Sequence, residues 1–164
     1  MHRANIRGIA DSTGPLALDV GVSVVAKEKW YAAGLAFECT QCGNCCSGDP
    51  GYVWLTKEEI RRIAAFLGRS DEWLPKTQLR RIGFRYSLTE KKDGDCIFLK
   101  RENGKVMCSI YPVRPNQCRT WPFWTDVLRD PDTWNAVATT CPGMNRGQRY
   151  DFVQIETRRL QKEW

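Results

Sequence analysis

The chain has 164 residues, 42% hydrophobic and 27% charged, with eight cysteines, one histidine and a formal net charge of +6. Such a chain can bury an ordinary core, which excludes a disordered segment and a miniature domain held by disulfide staples. No apolar run reaches the length of a membrane span, so a cytoplasmic protein with no membrane attachment is expected.

Residues 1–20 lack periodicity and contain Gly8, Gly14 and Pro15, which marks a loosely held arm ahead of one domain over residues 21–164. Residues 16–26 are mildly apolar, but Asp19 interrupts them and no cleavage-type ending follows, so they do not read as a secretory signal. Val24, Val25, Trp30 and Tyr31 predict a short helix within residues 22–33. Next comes Cys39-Thr-Gln-Cys42-Gly43-Asn-Cys45-Cys46, which gathers half of the cysteines into eight residues. Ser47-Gly48-Asp49-Pro50-Gly51 is a loop of turn formers, and Tyr52–Leu55 reads as a short strand. Thr56 and Glu59 then form a capping box for a helix over residues 57–67, with an apolar stripe of Ile60, Ile63, Ala64 and Leu67 and a stop at Gly68.

A second helix is expected from Ser70, with Pro75 limiting its first turns. Strands follow at 86–89, 96–99 and 106–110. Lys91–Gly94 and Glu102-Asn103-Gly104 supply the turns, the second with an Asn-Gly hairpin signal. That hairpin would set Cys96 and Cys108 on adjacent strands. Pro112, Pro115, Pro122, Pro131 and Pro142 then divide the chain into short pieces that carry Cys118 and Cys141, and residues 148–164 end it as a charged helical tail. No internal repeat is present. The expected fold is α+β: a small single domain with short helices around a short antiparallel hairpin, its irregular cysteine-bearing loops held by metal.

Eight is an even number, and a disulfide framework would also account for it. Four cysteines within eight residues are badly placed to find separate disulfide partners, however, whereas thiols at two-residue spacings around a glycine can aim sulfur at one point. Gly43 suits such a knuckle because glycine tolerates positive φ. Free buried thiols would not explain the clustering. The charge fits the metal reading as well. An ion with four thiolates carries about −2, so two such sites would bring +6 to about +2, and the case for a nucleic-acid partner weakens.

Cys39-x2-Cys42-Gly43-x-Cys45-Cys46, Asp95-Cys96-Ile97-Phe98-Leu99, Cys108-Ser109-Ile110-Tyr111, Arg114-Pro115-x2-Cys118-Arg119 and Trp121-Pro122-Phe123-Trp124 together resemble the CxxCxxCC cysteine-cluster family, the YkgJ-type zinc- or iron-chelating domain. The matches run in order from about residue 35 to 142. The resemblance implies metal or iron–sulfur binding. A similar cysteine domain occurs in flagellin lysine N-methylases, but this chain is short and has no glycine-rich nucleotide loop, so methyl transfer is not carried over.

The candidate ligands are Cys39, Cys42, Cys45, Cys46, Cys96, Cys108, Cys118 and Cys141. Cys39-x2-Cys42-Gly43 looks like a knuckle for one tetrahedral zinc or iron ion, while three cysteines at two-residue spacing plus a remote Cys141-Pro142 resemble a ferredoxin run with its fourth ligand displaced. Adjacent Cys45 and Cys46 serve two metals more easily than one, which tilts the balance toward an iron–sulfur cluster over zinc and leaves both open. At least one of Cys96, Cys108, Cys118 and Cys141 should share a site with the knuckle.

Arg114 and Arg119 bracket Cys118 and are candidates for stabilising the cofactor's sulfur, with surface ion pairing as the alternative. Trp121, Phe123 and Trp124 read as core packing that also shields a cluster. Glu90, Asp93 and Asp95 read as a solvated turn. The sole histidine, His2, lies in the arm, so a catalytic triad and a histidine-ligated ion are not expected. Cys42-x3-Cys46 is followed at the third position by Asp49 rather than cysteine, so the radical-enzyme motif is absent. Two functions of different class follow. One is an iron–sulfur electron carrier or oxidoreductase working with a protein partner, and the other a non-catalytic zinc-binding or metal-handling module.

Overall fold

The computed structural model describes residues 29–161 apart from Asp49. The expected N-terminal arm and most of the helix expected at 22–33 lie outside the described residues. The described part of that helix is instead a pair of turns, with Ala32 N–H donating to Lys29 O and Gly34 N–H to Tyr31 O.

Seven short strands and five helices follow in an α+β arrangement. Strand β1 (Leu35–Phe37) pairs antiparallel with β7 (Met144–Tyr150). Strands β2 (Trp54–Leu55), β3 (Leu79–Ile82) and β4 (Arg85–Leu88) form a three-stranded sheet in the order β2-β4-β3. Strands β5 (Leu99–Glu102) and β6 (Lys105–Cys108) form a hairpin. Its turn is Asn103-Gly104, both at positive φ (51° and 73°), as the Asn-Gly pair predicts. The single expected hairpin is thus one of three small sheets.

Helix α1 (Lys57–Phe66) has the expected capping box, with Thr56 and Glu59 exchanging side-chain and backbone hydrogen bonds. Helix α2 (Trp73–Thr77) starts later than expected, with Glu72 rather than Ser70 at its N-cap. Pro75 is tolerated there because the first-turn N–H groups have no intrahelical partner in any case. Residues 79–82 carry no marked alternation yet become β3 by pairing with β4 across the short Gly83-Phe84 turn. One expectation is corrected by pairing at long range. Residues 144–150 become a strand against β1, so the tail expected to be helical from 148 becomes α5 (Phe152–Leu160) only after Asp151 and Gln154 form a second capping box. The proline-rich stretch holds a 3₁₀ turn at Tyr111–Val113, α3 (Asn116–Arg119) and α4 (Pro131–Ala138).

The buried residues fall into two clusters. One gathers Tyr31, Phe37, Phe123, Trp134, Met144 and Ile155 from both ends of the described chain. The other gathers Leu55, Ile63, Leu74, Leu88, Phe98 and Ile110 from its middle. Cys141 belongs to the first and Cys39 packs against it, while Cys96 and Cys108 pack against the second.

The first cluster is fastened to α5 by polar contacts. Tyr31 Oη donates to Glu156 Oε1 at 2.7 Å, and Arg159 grips both carboxylate oxygens at 2.7 and 2.6 Å. The arginine's hydrogen bonds are the main reason that the Glu156 pKa falls to about 2. Because the folded value lies below the ordinary glutamate value of about 4.3, this contribution is present above that pH and is lost as pH falls towards 2. Urea unfolding between pH 5 and 2 should show stability declining through this window, and Glu156→Gln should flatten that part of the decline. An unchanged pH slope in the variant would assign the acid sensitivity to other carboxylates.

Candidate metal centre

Each cysteine reaches its place by a local device. Cys39 follows β1, and the Glu38 N–H donates to Gly143 O at 3.0 Å. That approach needs glycine at 143, because a Cβ there would stand 2.0 Å from Glu38 O. The contact lays the Cys141-Pro142-Gly143 segment beside the knuckle. Gly43 adopts φ 83° and opens a 3₁₀ turn at Asn44–Cys46, closed by Cys46 N–H donating to Gly43 O. Asn44 Nδ2 donates to Thr140 O, so the turn is tied to the residue before Cys141. Cys96 N–H donates to Cys46 O at 2.7 Å, a direct backbone link between the two cysteine sets.

Cys108 ends β6 opposite Leu99. Cys96 lies three residues before β5, bridged to Glu90. The expectation that Cys96 and Cys108 are cross-strand neighbours is therefore corrected: the hairpin begins after Cys96, because residues 95–98 turn away to meet Glu90 and Cys46. Cys118 sits in α3, whose place is set by two side chains. Glu59 Oε1 accepts from Asn116 N–H, and Gln117 bonds Trp54 N–H and Tyr52 O at 2.9 Å each. The glutamate of the α1 capping box therefore also holds the start of the helix that carries a cysteine.

All eight cysteines line one cavity of about 60 Å³, whose wall is otherwise almost wholly apolar. That is several times the about 10–15 Å³ that a single water needs. The two cysteine sets thus face the same space. Cys45 and Cys46 sulfurs are 3.7 Å apart. Among the described residues, no three Cys, His, Asp or Glu side chains are already grouped to hold one ion. The thiols share a wall rather than an apex.

The electrostatics register this crowding. Burial pushes the Cys96, Cys108 and Cys118 thiols up, and neighbouring cysteines add to the effect. Cys46 is also raised, chiefly because its thiol donates to Cys45, whose own pKa is lowered by the same bond. Arg114 faces this wall and favours the charged forms of Cys45, Cys108 and Cys118. A bound cation would relieve the mutual repulsion of the thiolates and deprotonate them.

Two further observations match the donor set to a soft metal or cluster. Cysteine sulfur dominates the donors lining the cavity, beside the oxygen-bearing residues Thr40, Gln41 and Tyr111 and no carboxylate, which suits zinc, iron or iron–sulfur better than calcium or magnesium. Arg114 Nε and Trp121 Nε1 are buried without a hydrogen-bond partner among the described residues, and both residues line the cavity. Such orphaned N–H groups are costly unless something accepts from them, and metal-bound sulfur is an acceptor.

Arg119 differs from Arg114: it does not line the cysteine cavity but a neighbouring one, with Cys39, Cys45 and Cys118, and also faces the clefts beside Asn116 and Gln161. Trp121 lines both cavities, Phe123 is fully buried in the first core cluster, and Trp124 packs edge-on to Trp121 at 4.9 Å. Glu90 pairs with Arg80 and Asp95 with Arg101, while Asp93 accepts from Asp95 N–H, so these acids hold loops. Arg101 also donates to Ser47 Oγ, tying β5 to the knuckle. Tyr111 was not singled out by residue chemistry. Its phenol lines the cavity and its pKa is raised by burial and by the hydrogen bond with Cys39.

A family model described as CxxCxxCC, "Putative zinc- or iron-chelating domain", matches residues 38–142. An uncharacterized protein of the archaeon Methanocaldococcus jannaschii is 32% identical over 97 residues, which are 59% of this chain and 50% of that protein. The chain thus spans about half the length of that relative. No solved structure matches significantly.

Gly43 is the position where the knuckle can be tested without removing a thiol. A side chain there meets a positive-φ penalty of about 1–2 kcal/mol. It would also set a Cβ 2.6 Å from Val106 Cγ1. Gly43→Ala should lower both the melting temperature and the metal bound per chain, measured by elemental analysis after anaerobic purification. Gly51→Ala, with nothing within 4 Å, should change neither. Full metal content in Gly43→Ala would show that the turn is not needed for binding.

Proposed function

This chain belongs to the CxxCxxCC family, and from that premise we propose that it is a cysteine-ligated iron–sulfur protein that passes electrons to a partner protein. The observation that carries the reading is the single apolar cavity lined by all eight cysteines. A lone tetrahedral ion needs four sulfurs about 3.8 Å apart, set by metal–sulfur bonds near 2.3 Å. Thiols spread around a wall, with no three already converged among the described residues, would suit a multi-atom iron–sulfur cluster better than a lone ion.

Such a cluster supplies one-electron chemistry when bound. The chain's own contribution is ligation by cysteine, exclusion of water by Leu99, Ile110 and Trp121, and hydrogen bonds from Arg114 Nε and Trp121 Nε1 toward sulfur. Donors to sulfur and low solvent access are the levers by which a protein sets a cluster's potential.

One observation favours a second reading, a structural zinc site. The cavity is bounded by Phe37 and Cys141 from one core cluster and by Leu88 and Ile110 from the other. Metal there would join two otherwise separate cores, a role that zinc fills without redox chemistry.

Protein purified without oxygen should be coloured, with visible charge-transfer absorption that bleaches with dithionite and with iron and acid-labile sulfide in similar amounts. Colourless protein that carries zinc and does not respond to dithionite would overturn the redox reading and support the structural one. In either case, removing the metal should erase the near-ultraviolet circular dichroism of the tryptophans. Structural sites contribute about 10–16 kcal/mol, as much as a whole domain's net stability.

A further inference from the structure

Beside the cysteine cavity lies a second, larger one of about 540 Å³. That volume falls within the range of about 300–1,000 Å³ usual for small-molecule sites. The two cavities share a wall made by Cys39, Cys45, Tyr111, Arg114, Cys118 and Trp121. Three arginines, Arg114, Arg119 and Arg158, line the larger one, against a single carboxylate, Glu38.

Several arginines of the described residues pair with a carboxylate, as at Arg80–Glu90, Arg101–Asp95 and Arg159–Glu156. These three, like Arg69 and Arg85, do not, and two of them rest on aromatic rings that line the cavity. The guanidinium of Arg114 lies 3.9 Å from the centre of the Tyr111 ring, and that of Arg158 lies 4.4 Å from the centre of the Tyr150 ring. Both tyrosines line the same cavity. A guanidinium flat on an aromatic face keeps its N–H edges free and fixed, the geometry that takes a carboxylate or phosphate through paired hydrogen bonds. Arg158 uses one of its N–H groups on Gln154 O, and the Arg114 Nε–H has no acceptor.

We infer that this cavity binds a small organic oxyanion, a carboxylate or a phosphate ester, with the charged group on Arg119 and Arg158 and an apolar body toward Tyr111 and Trp121. The site therefore opens against the cysteine wall, so the ligand would lie beside the centre proposed above. That adjacency rests on the proposed function, but the contacts offered to the anion come from arginine and aromatic side chains.

The competing account is that the arginines only balance thiolate charge, and one experiment separates the two. Metal-replete protein, prepared without oxygen, is titrated by calorimetry with inorganic phosphate, phenyl phosphate, benzoate and neutral phenol, and its metal content is measured on the same samples. Phenyl phosphate or benzoate should bind more tightly than inorganic phosphate and far more tightly than phenol, and whichever of the two binds better identifies the group. Arg158→Gln and Arg119→Gln should each weaken binding about tenfold or more, the loss expected for one charge-assisted contact, at unchanged metal content.

No binding by either phenyl anion, equal binding of phenol, or unchanged affinity in both variants would overturn the inference. Loss of metal from Arg158→Gln would overturn it too and assign the arginines to charge balance. If protein prepared without oxygen proves to hold no metal yet binds the phenyl anions, the metal centre falls and the anion site stands.

Discussion

Everything in this fold turns on bringing eight thiols, drawn from five separate stretches of chain, into one small apolar space. Left alone they would resist it, since burial penalises thiolates and each charged sulfur disfavours the next. What gathers them is the backbone and a few polar side chains. Cys46 O accepts from Cys96, Glu38 N–H reaches across to Gly143, and Asn44 reaches Thr140. None of these bonds uses sulfur, so the scaffold is built by ordinary hydrogen bonding and the sulfur atoms are left for another task.

The hydrophobic cores are arranged to serve the same end. One is assembled from the two ends of the described chain and the other from its middle, and the cysteine cavity is lined from both. Two small cores bury less apolar surface per residue than one large one. The polar fasteners between them therefore matter more than usual. Glu59 serves both α1 and α3, and Gln117 fixes α3 to β2. Loss of a buried group with two obligations leaves two sets of donors unsatisfied.

Arg114 stands where the two cavities meet. It faces the thiols, rests on Tyr111 and lines the arginine-rich cavity. A single planar cation in that position links the charge of the sulfur wall to whatever occupies the neighbouring space. Lysine could not do the same, because it lacks both the flat face and the fork of donors.

Much of this was legible in the sequence where the cause was local. The Thr56–Glu59 capping box, the Asn103-Gly104 turn and the glycine at the centre of the knuckle each follow from neighbours a few residues apart, and each is found as read. The clustering of Cys39–Cys46 likewise announced a common purpose for the thiols. The strands at 79–82 and 144–150 were not legible, because nothing in their own residues alternates; pairing imposes the extended form, with β4 across a short turn for the first and β1, more than a hundred residues away, for the second. For the same reason the sequence placed Cys96 on the wrong element. It also gave no hint that Arg158, some forty residues past Cys118, lines a cavity with it. Residue chemistry by itself determined what kind of atoms this protein would offer. Only tertiary packing decided which of them face one another, since that depends on contacts between residues a hundred positions apart.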